Sequence, residues 1–190
     1  MEVLQLGDEL LRGKAQPVDG VTDGIRALVA EMFETMEQQQ GVGLAGPQVG
    51  VPLRLFVVKA GDSVRRAFIN PTVLEASEET GEYEEGCLSI PGVYHNVVRP
   101  RWINVQALAP DGTPFTLRAD GLLARVIQHE NDHLEGILFV DRVGDEFRDR
   151  ISALFALRRE RRAEKKAQKA AKSARLQAKI AAKQRKAASC

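Results

Sequence analysis

Gly121-Leu122-Leu123-Ala124-Arg125-Val126-Ile127-Gln128-His129-Glu130-Asn131-Asp132-His133-Leu134 carries the pattern H-E-x-x-H at His129, Glu130 and His133. Asp120 stands where a helix cap is expected and Gly136 where a helix ends, so the spacing predicts a helix from about Gly121 to Leu134. Leu122, Leu123, Val126 and Ile127 are expected to form its buried side. Residues four apart share a helix face, so His129 and His133 can grip one metal ion. Glu130, next to the first histidine, can move protons for a water at that metal. A catalytic site usually takes three protein ligands and keeps a position open. The best candidate for the third ligand is Cys87, in Glu85-Gly86-Cys87-Leu88-Ser89. That set differs from the nitrogen and carboxylate ligands of most metalloproteases.

Each of these segments also has a plainer reading. H-E-x-x-H arises by chance on surface helices, and a lone cysteine is most often a buried structural thiol. The apolar face opposite the motif favours an anchored site, and a thiolate beside two imidazoles is a chemically sensible set. The third histidine, His95, is expected at the surface or on a pocket rim.

Outward from this helix, Ile25, Leu28, Val29, Met32, Phe33 and Met36 recur with helical period, with Thr22 or Asp23 as the cap. Gly41 and Gly43 are expected to end that helix and open a loop, Gly41-Val42-Gly43-Leu44-Ala45-Gly46-Pro47-Gln48. Glycines there permit close backbone approach to a ligand, and the Gln48 amide can donate to a developing oxyanion. Strands are predicted at Leu53 to Val58 and around Phe68-Ile69-Asn70. An acidic stretch, Glu78 to Glu85, leads into the Cys87 segment. A hairpin is predicted between Ile103–Ala109 and Pro114–Leu117, turning at Asp111-Gly112. These elements together predict an α+β fold, with antiparallel or mixed sheets around a central motif helix and a C-terminal helix.

A composition of 44% hydrophobic and 28% charged residues is that of an ordinary globular protein. No apolar run approaches the ~20 residues that span a bilayer. The first residues, Met1 to Asp8, lack the basic region and apolar core of a signal peptide, so a bacterial cytoplasmic location is expected. A disulfide between Cys87 and Cys190 is implausible in such a compartment, and Cys190 reads as a free thiol. The net charge of +1 hides an asymmetry: residues 158–190 hold thirteen Lys and Arg against two acidic residues, a net +11, which leaves −10 for residues 1–157. The expected division is therefore a catalytic domain over 1–157 and a basic Ala/Lys/Arg-rich tail over 158–190. Only Leu176 and Ile180 are large and apolar beyond Leu157, so no heptad seam exists. The tail is expected as a frayed helix or a disordered segment with an anionic partner.

The three segments, taken in order, resemble the peptide deformylase family, whose signatures are G-x-G-x-A-A-x-Q, E-G-C-L-S and Q-H-E-x-D-H-L. Here they stand as Gly41 to Gln48, Glu85 to Ser89 and Gln128 to Leu134, with Gly46 in place of the second alanine. That change is expected to alter packing behind the loop and leave the chemistry. The resemblance spans roughly Val3 to Val143. It implies a hydrolase that removes the formyl group from N-terminal formylmethionine of new proteins and releases formate.

Carried onto this chain, the resemblance implies that Cys87, His129 and His133 hold one divalent metal, Fe²⁺ in the cell, with Zn²⁺, Ni²⁺ or Co²⁺ as substitutes. Glu130 takes a proton from water and returns it to the leaving amine. Gln48 and the Leu88 backbone N–H meet the oxyanion. An extended peptide pairs along Gly43, and Val42, Tyr83, Leu122, Val126 and His129 line the methionine pocket. Arg125 is expected to send its head to solvent. Arg99 and Asp132 are expected to pair behind the ligands, with a plain surface salt bridge as the alternative. Formylated nascent peptides are the implied partners, with ribosomal RNA as a candidate partner of the tail and no membrane. Two other functions compete: a metalloprotease built on H-E-x-x-H, and a ribosome- or nucleic-acid-associated binding protein whose working part is the tail.

Overall fold

The structure, a computed structural model, describes residues 1–187, and for 174–176 and 178–187 it describes the backbone alone. Cys190, expected as a free thiol, and the side chains of Leu176 and Ile180 lie outside the described residues. The chain divides into two compact units, the first Met1–Arg148 and the second from Asp149 onward. In chain order the elements are α1 (Asp23–Gln38), β1 (Gly43–Ala45), β2 (Leu55–Val58), β3 (Arg66–Ala76), β4 (Thr80–Gly86), β5 (Tyr94–Pro100), β6 (Trp102–Leu108), β7 (Pro114–Asp120), α2 (Gly121–Leu134), α3 (Phe139–Val143) and α4 (Asp145–Ala187). The fold is α+β, as expected.

Five strands form one antiparallel sheet in the order β1-β2-β3-β6-β7, and β4 and β5 form a separate antiparallel hairpin. β2 explains how the sheet holds two helices. Its uninterrupted run Leu55-Phe56-Val57-Val58 is buried at every position, which is what a strand covered on both faces requires. Alternate side chains point to opposite faces. Phe56 and Val58 join Phe68, Ile103 and Val105 against Ala124, Val126 and Ile127 of α2. Leu55 and Val57 join Leu44 and Ile69 against Val29, Met32, Phe33 and Met36 of α1. Phe56 and Phe68 stack at 4.9 Å between ring centroids. Truncating such a ring to alanine costs about 3–5 kcal/mol, so this layer fixes where α2 sits.

Several expectations need correction. α1 ends at Gln38, and the left-handed turn after it is made by Gln40, at φ 56°, ahead of the glycines expected to end the helix. The segment after it is no open loop: Gly43–Ala45 is an edge strand and Gly46–Val49 a 3-10 turn. The backbone can turn there because Gly41 N–H bonds Met36 O at 2.9 Å. The acidic stretch before Cys87 runs into strand β4, where Glu82, Tyr83 and Glu84 are exposed, Glu85 is buried, and every residue pairs with β5. Asp120 occupies the N-cap of α2 but makes no capping bond through its side chain. Leu122 is 43% exposed and not part of the core face; Ala124 takes the buried position. The hairpin β6–β7 forms with Gly112 at φ 87° and Asp111 Oδ1 accepting the Thr113 N–H.

In the second unit the backbone is helical as far as Ala187, and every described side chain from Arg158 to Ser173 is exposed. No helix among the described residues is long and apolar enough to cross a membrane.

Candidate metal centre and active-site cavity

α2 presents His129 and His133 one turn apart, and β4 ends one residue before Cys87. The chain turns sharply after the cysteine, with Ile90 N–H bonding Cys87 O at 2.9 Å. The N-terminal segment ties the neighbouring segments together: Leu4 N–H bonds Gln48 O at 2.8 Å and Leu6 N–H bonds Ser89 O at 2.9 Å. One donor atom from each of Cys87, His129 and His133 lies within 4.8 Å of the other two. Cys87 Sγ is 3.3 Å from His133 Nε2. His129 Nδ1 donates to Glu85 Oε2 at 2.9 Å, which leaves its Nε2 lone pair for a metal. A thiolate and two imidazoles suit a divalent transition metal such as iron, zinc, nickel or cobalt.

Electrostatics support this reading of the donors. Burial pushes the His133 imidazole well below its ordinary pKa, so it stays neutral. Burial opposes protonation of His129 too, but Cys87 and Glu85 outweigh it and raise its pKa. A cation at Nε2 would take the place of that proton. Burial also raises the Glu130 carboxyl to about 7, the range of a group that exchanges protons near neutrality. Glu130 Oε2 is buried and has no hydrogen-bond partner among the described residues, so it is available to a ligand in the site.

Behind the donors lies a buried ionic network. Burial disfavours a charged Glu85, yet hydrogen bonds from His129 and Arg99 outweigh it and hold its carboxyl far below the usual range. Glu85 Oε1 accepts from Arg99 Nε at 2.6 Å and Arg125 Nη1 at 2.8 Å, and Oε2 from Arg99 Nη2 at 3.0 Å as well as from His129. Arg99, 3% exposed, reaches Asp132 Oδ2 at 2.8 Å. The expected Arg99–Asp132 pair is therefore a buried bridge and not a surface one. Arg142 holds both oxygens of Asp132, with Nε donating to Oδ2 at 3.0 Å and Nη2 donating to Oδ1. Arg125 does not reach outward as expected: its side chain is 11% exposed and bonds Glu85, Val97 O and Gly81 O.

Gln48 is locked before any ligand arrives. Its Oε1 accepts the Ala45 N–H at 2.7 Å, and Nε2 lies 3.2 Å from Ser89 Oγ and 3.4 Å from Cys87 Sγ. The amide donor is thus aimed at the donor cluster. A cavity of about 510 Å³ opens in front, lined by Val42, Gly43, Gln48, Tyr83, Cys87, Leu88, Leu122, Arg125, Val126, His129 and Glu130, among others. Gly43 is required there, because a Cβ would come within 2.3 Å of Glu130 Oε1. His95 is exposed, 4.5 Å from the Phe147 ring, and apart from the donor cluster. Glu85, Ser89 and Arg125 escaped the sequence reading as site residues. Glu85 and Ser89 flank Cys87 in the quoted motif, but the spacing of one strand does not reveal which partners it meets.

Fold and site define an α+β protein whose central helix and a strand-end cysteine offer a Cys–His–His set for a divalent cation beside a buried glutamate. A sequence model described as polypeptide deformylase matches residues 1–148. A peptide deformylase of Treponema pallidum (strain Nichols) is 52% identical over 149 residues, which cover 78% of this chain and 91% of the relative. The crystal structure of peptide deformylase from Ehrlichia chaffeensis superposes with a TM-score of 0.81 at 34% identity, covering 86% of this chain and 98% of that one. A structure of peptide deformylase from the same organism in complex with actinonin gives 0.81 at 36% identity, over 83% and 96%. The chain belongs to the peptide deformylase family.

Proposed function

We propose that the chain hydrolyses the N-formyl group of formylmethionine at the start of newly made proteins, releasing formate and a free amine. The observation that carries this is the convergence of Cys87, His129 and His133 beside buried Glu130, with the Gln48 amide aimed at the same point. A divalent cation held there, Fe²⁺ in the cell by this reading, supplies Lewis acidity toward the formyl oxygen and toward water. Glu130 accepts the proton of the attacking water, and its carboxyl returns that proton to the departing amine nitrogen as the C–N bond breaks. Gln48 Nε2 and the Leu88 N–H donate to the oxygen that gains charge. The substrate backbone adds to β1, which stands at the sheet edge and lines the cavity through Gly43. Val42, Tyr83, Leu122 and Val126 receive the methionine side chain. Arg99 and Asp132 position the helix behind His129.

The test is formate release from formyl-Met-Ala-Ser by protein purified anaerobically with iron. Release by the wild type, with most turnover lost and metal retained in Glu130→Gln, supports the reading. No release despite bound metal defeats it.

We propose further that residues 1–157 are the catalytic domain and that the tail, 158–190, docks this cytoplasmic enzyme on ribosomal RNA. Its +11 charge supports this. Truncation after Leu157 should weaken ribosome binding and leave turnover of the short peptide unchanged; equal binding by both forms defeats it.

A further inference from the structure

Arg125 makes this cavity unlike an apolar side-chain pocket. It lies on α2 four residues before His129 and lines the same cavity as Val42, Leu122 and Val126. A second cavity, of about 590 Å³, shares Tyr83, Leu122 and Arg125 with the first. These three side chains border both spaces. A guanidinium carries five N–H groups. Three of those on Arg125 reach protein acceptors: two on Nη1, to Glu85 Oε1 at 2.8 Å and Val97 O at 2.9 Å, and one on Nη2, to Gly81 O at 2.7 Å. The other two have no acceptor among the described residues. The Tyr83 ring centroid lies 5.6 Å from the guanidinium carbon. Arg125 is thus held by two strands and a carboxylate, stays charged, and is largely shielded from water with donors to spare.

We infer that Arg125 is a specificity-determining residue: it lets the cavity accept, besides methionine, a first residue whose unbranched side chain ends in a hydrogen-bond acceptor, methionine sulfoxide being the representative. The inference rests on the formyl-peptide reading above. Oxidation turns the apolar thioether into a polar acceptor. In a wholly apolar pocket that oxygen would be buried without a donor and the substrate rejected. A fixed guanidinium supplies the donor, and a hydrogen bond to a charged group is the stronger kind.

The experiment compares kcat/KM for formyl-Met-Ala-Ser and its methionine-sulfoxide counterpart, using the iron-loaded wild type, Arg125→Leu and Arg125→Gln. Because both peptides are measured on one preparation, their ratio is independent of the fraction of active protein. The wild type should turn over the sulfoxide peptide within about tenfold of the methionine peptide. Arg125→Leu should shift the ratio against the sulfoxide by a further factor of about ten or more, and Arg125→Gln, which keeps an amide donor, by less. An Arg125→Leu ratio equal to that of the wild type overturns the inference. So does a wild type that releases formate from the methionine peptide alone, a result that decides the matter even if the variants fail to fold. No formate from either peptide overturns the deformylase reading itself.

Discussion

His129 Nδ1 lies 2.9 Å from Glu85 Oε2, and this bond joins the helix that carries two of the donors to the strand that delivers the third. The same carboxylate accepts from Arg99 and Arg125, so orientation of a ligand ring and attachment of the hairpin depend on one residue. Glu85→Gln removes the charge from beside two buried guanidiniums. Partners of this kind typically contribute 10–100-fold to metal affinity, and breaking a buried charge pair costs about 3–5 kcal/mol. Calorimetric metal titration of Glu85→Gln should show weaker binding by about that factor, together with a lower Tm. Unchanged affinity would detach Glu85 from the metal site.

Gln48 should prove doubly sensitive. Its Nε2 faces Cys87 while its Oε1 satisfies the buried Ala45 N–H. Loss of one oxyanion donor contributes on the order of 3 kcal/mol to the barrier. Gln48→Leu should therefore lower kcat by about two orders of magnitude with metal retained. It should also lower stability by about 1–3 kcal/mol, through the orphaned N–H.

Gly46 stands where the family signature has alanine, and the structure shows how this chain has packed around it. A Cβ at Gly46 would come within 2.7 Å of Val51 O and 2.9 Å of Leu53 O. Both are backbone atoms that cannot rotate away. Gly46→Ala should destabilise the protein by about 1–3 kcal/mol, readable as a lower denaturation midpoint in urea. A stabilised variant would mean that the 51–55 backbone yields freely.

Glu37 offers a test of pH dependence away from the site. Hydrogen bonds from Arg65 and then Lys59 lower its carboxyl from 4.5 to about 2. A folded-state pKa below the unfolded one adds stability that is full above the unfolded value and is lost as pH falls through the folded one. Wild type should therefore be more stable than Glu37→Gln at neutral pH, and the difference should shrink between about pH 4.5 and 2. A constant Tm difference across that window would remove the ion pairs from the account.

Features that depend on local spacing were legible from the order of residues. The 3.6-residue period of Ile25 to Met36 and the four-residue step from His129 to His133 follow from helix geometry, and both helices formed within two or three residues of their expected bounds. The Asp111-Gly112 turn is equally local. Other features depend on partners that only long-range packing brings together. The Gly41 to Gln48 segment contains no strand period, and its central part became a strand because β2 offered a hydrogen-bonding edge. The acidic β4 is a strand because β5 pairs with it. Arg125 turned inward because a carboxylate and two carbonyls from distant segments converge on it. A side chain's partners across forty residues are fixed by the packing of helices on a sheet, and a buried charge goes where acceptors meet it.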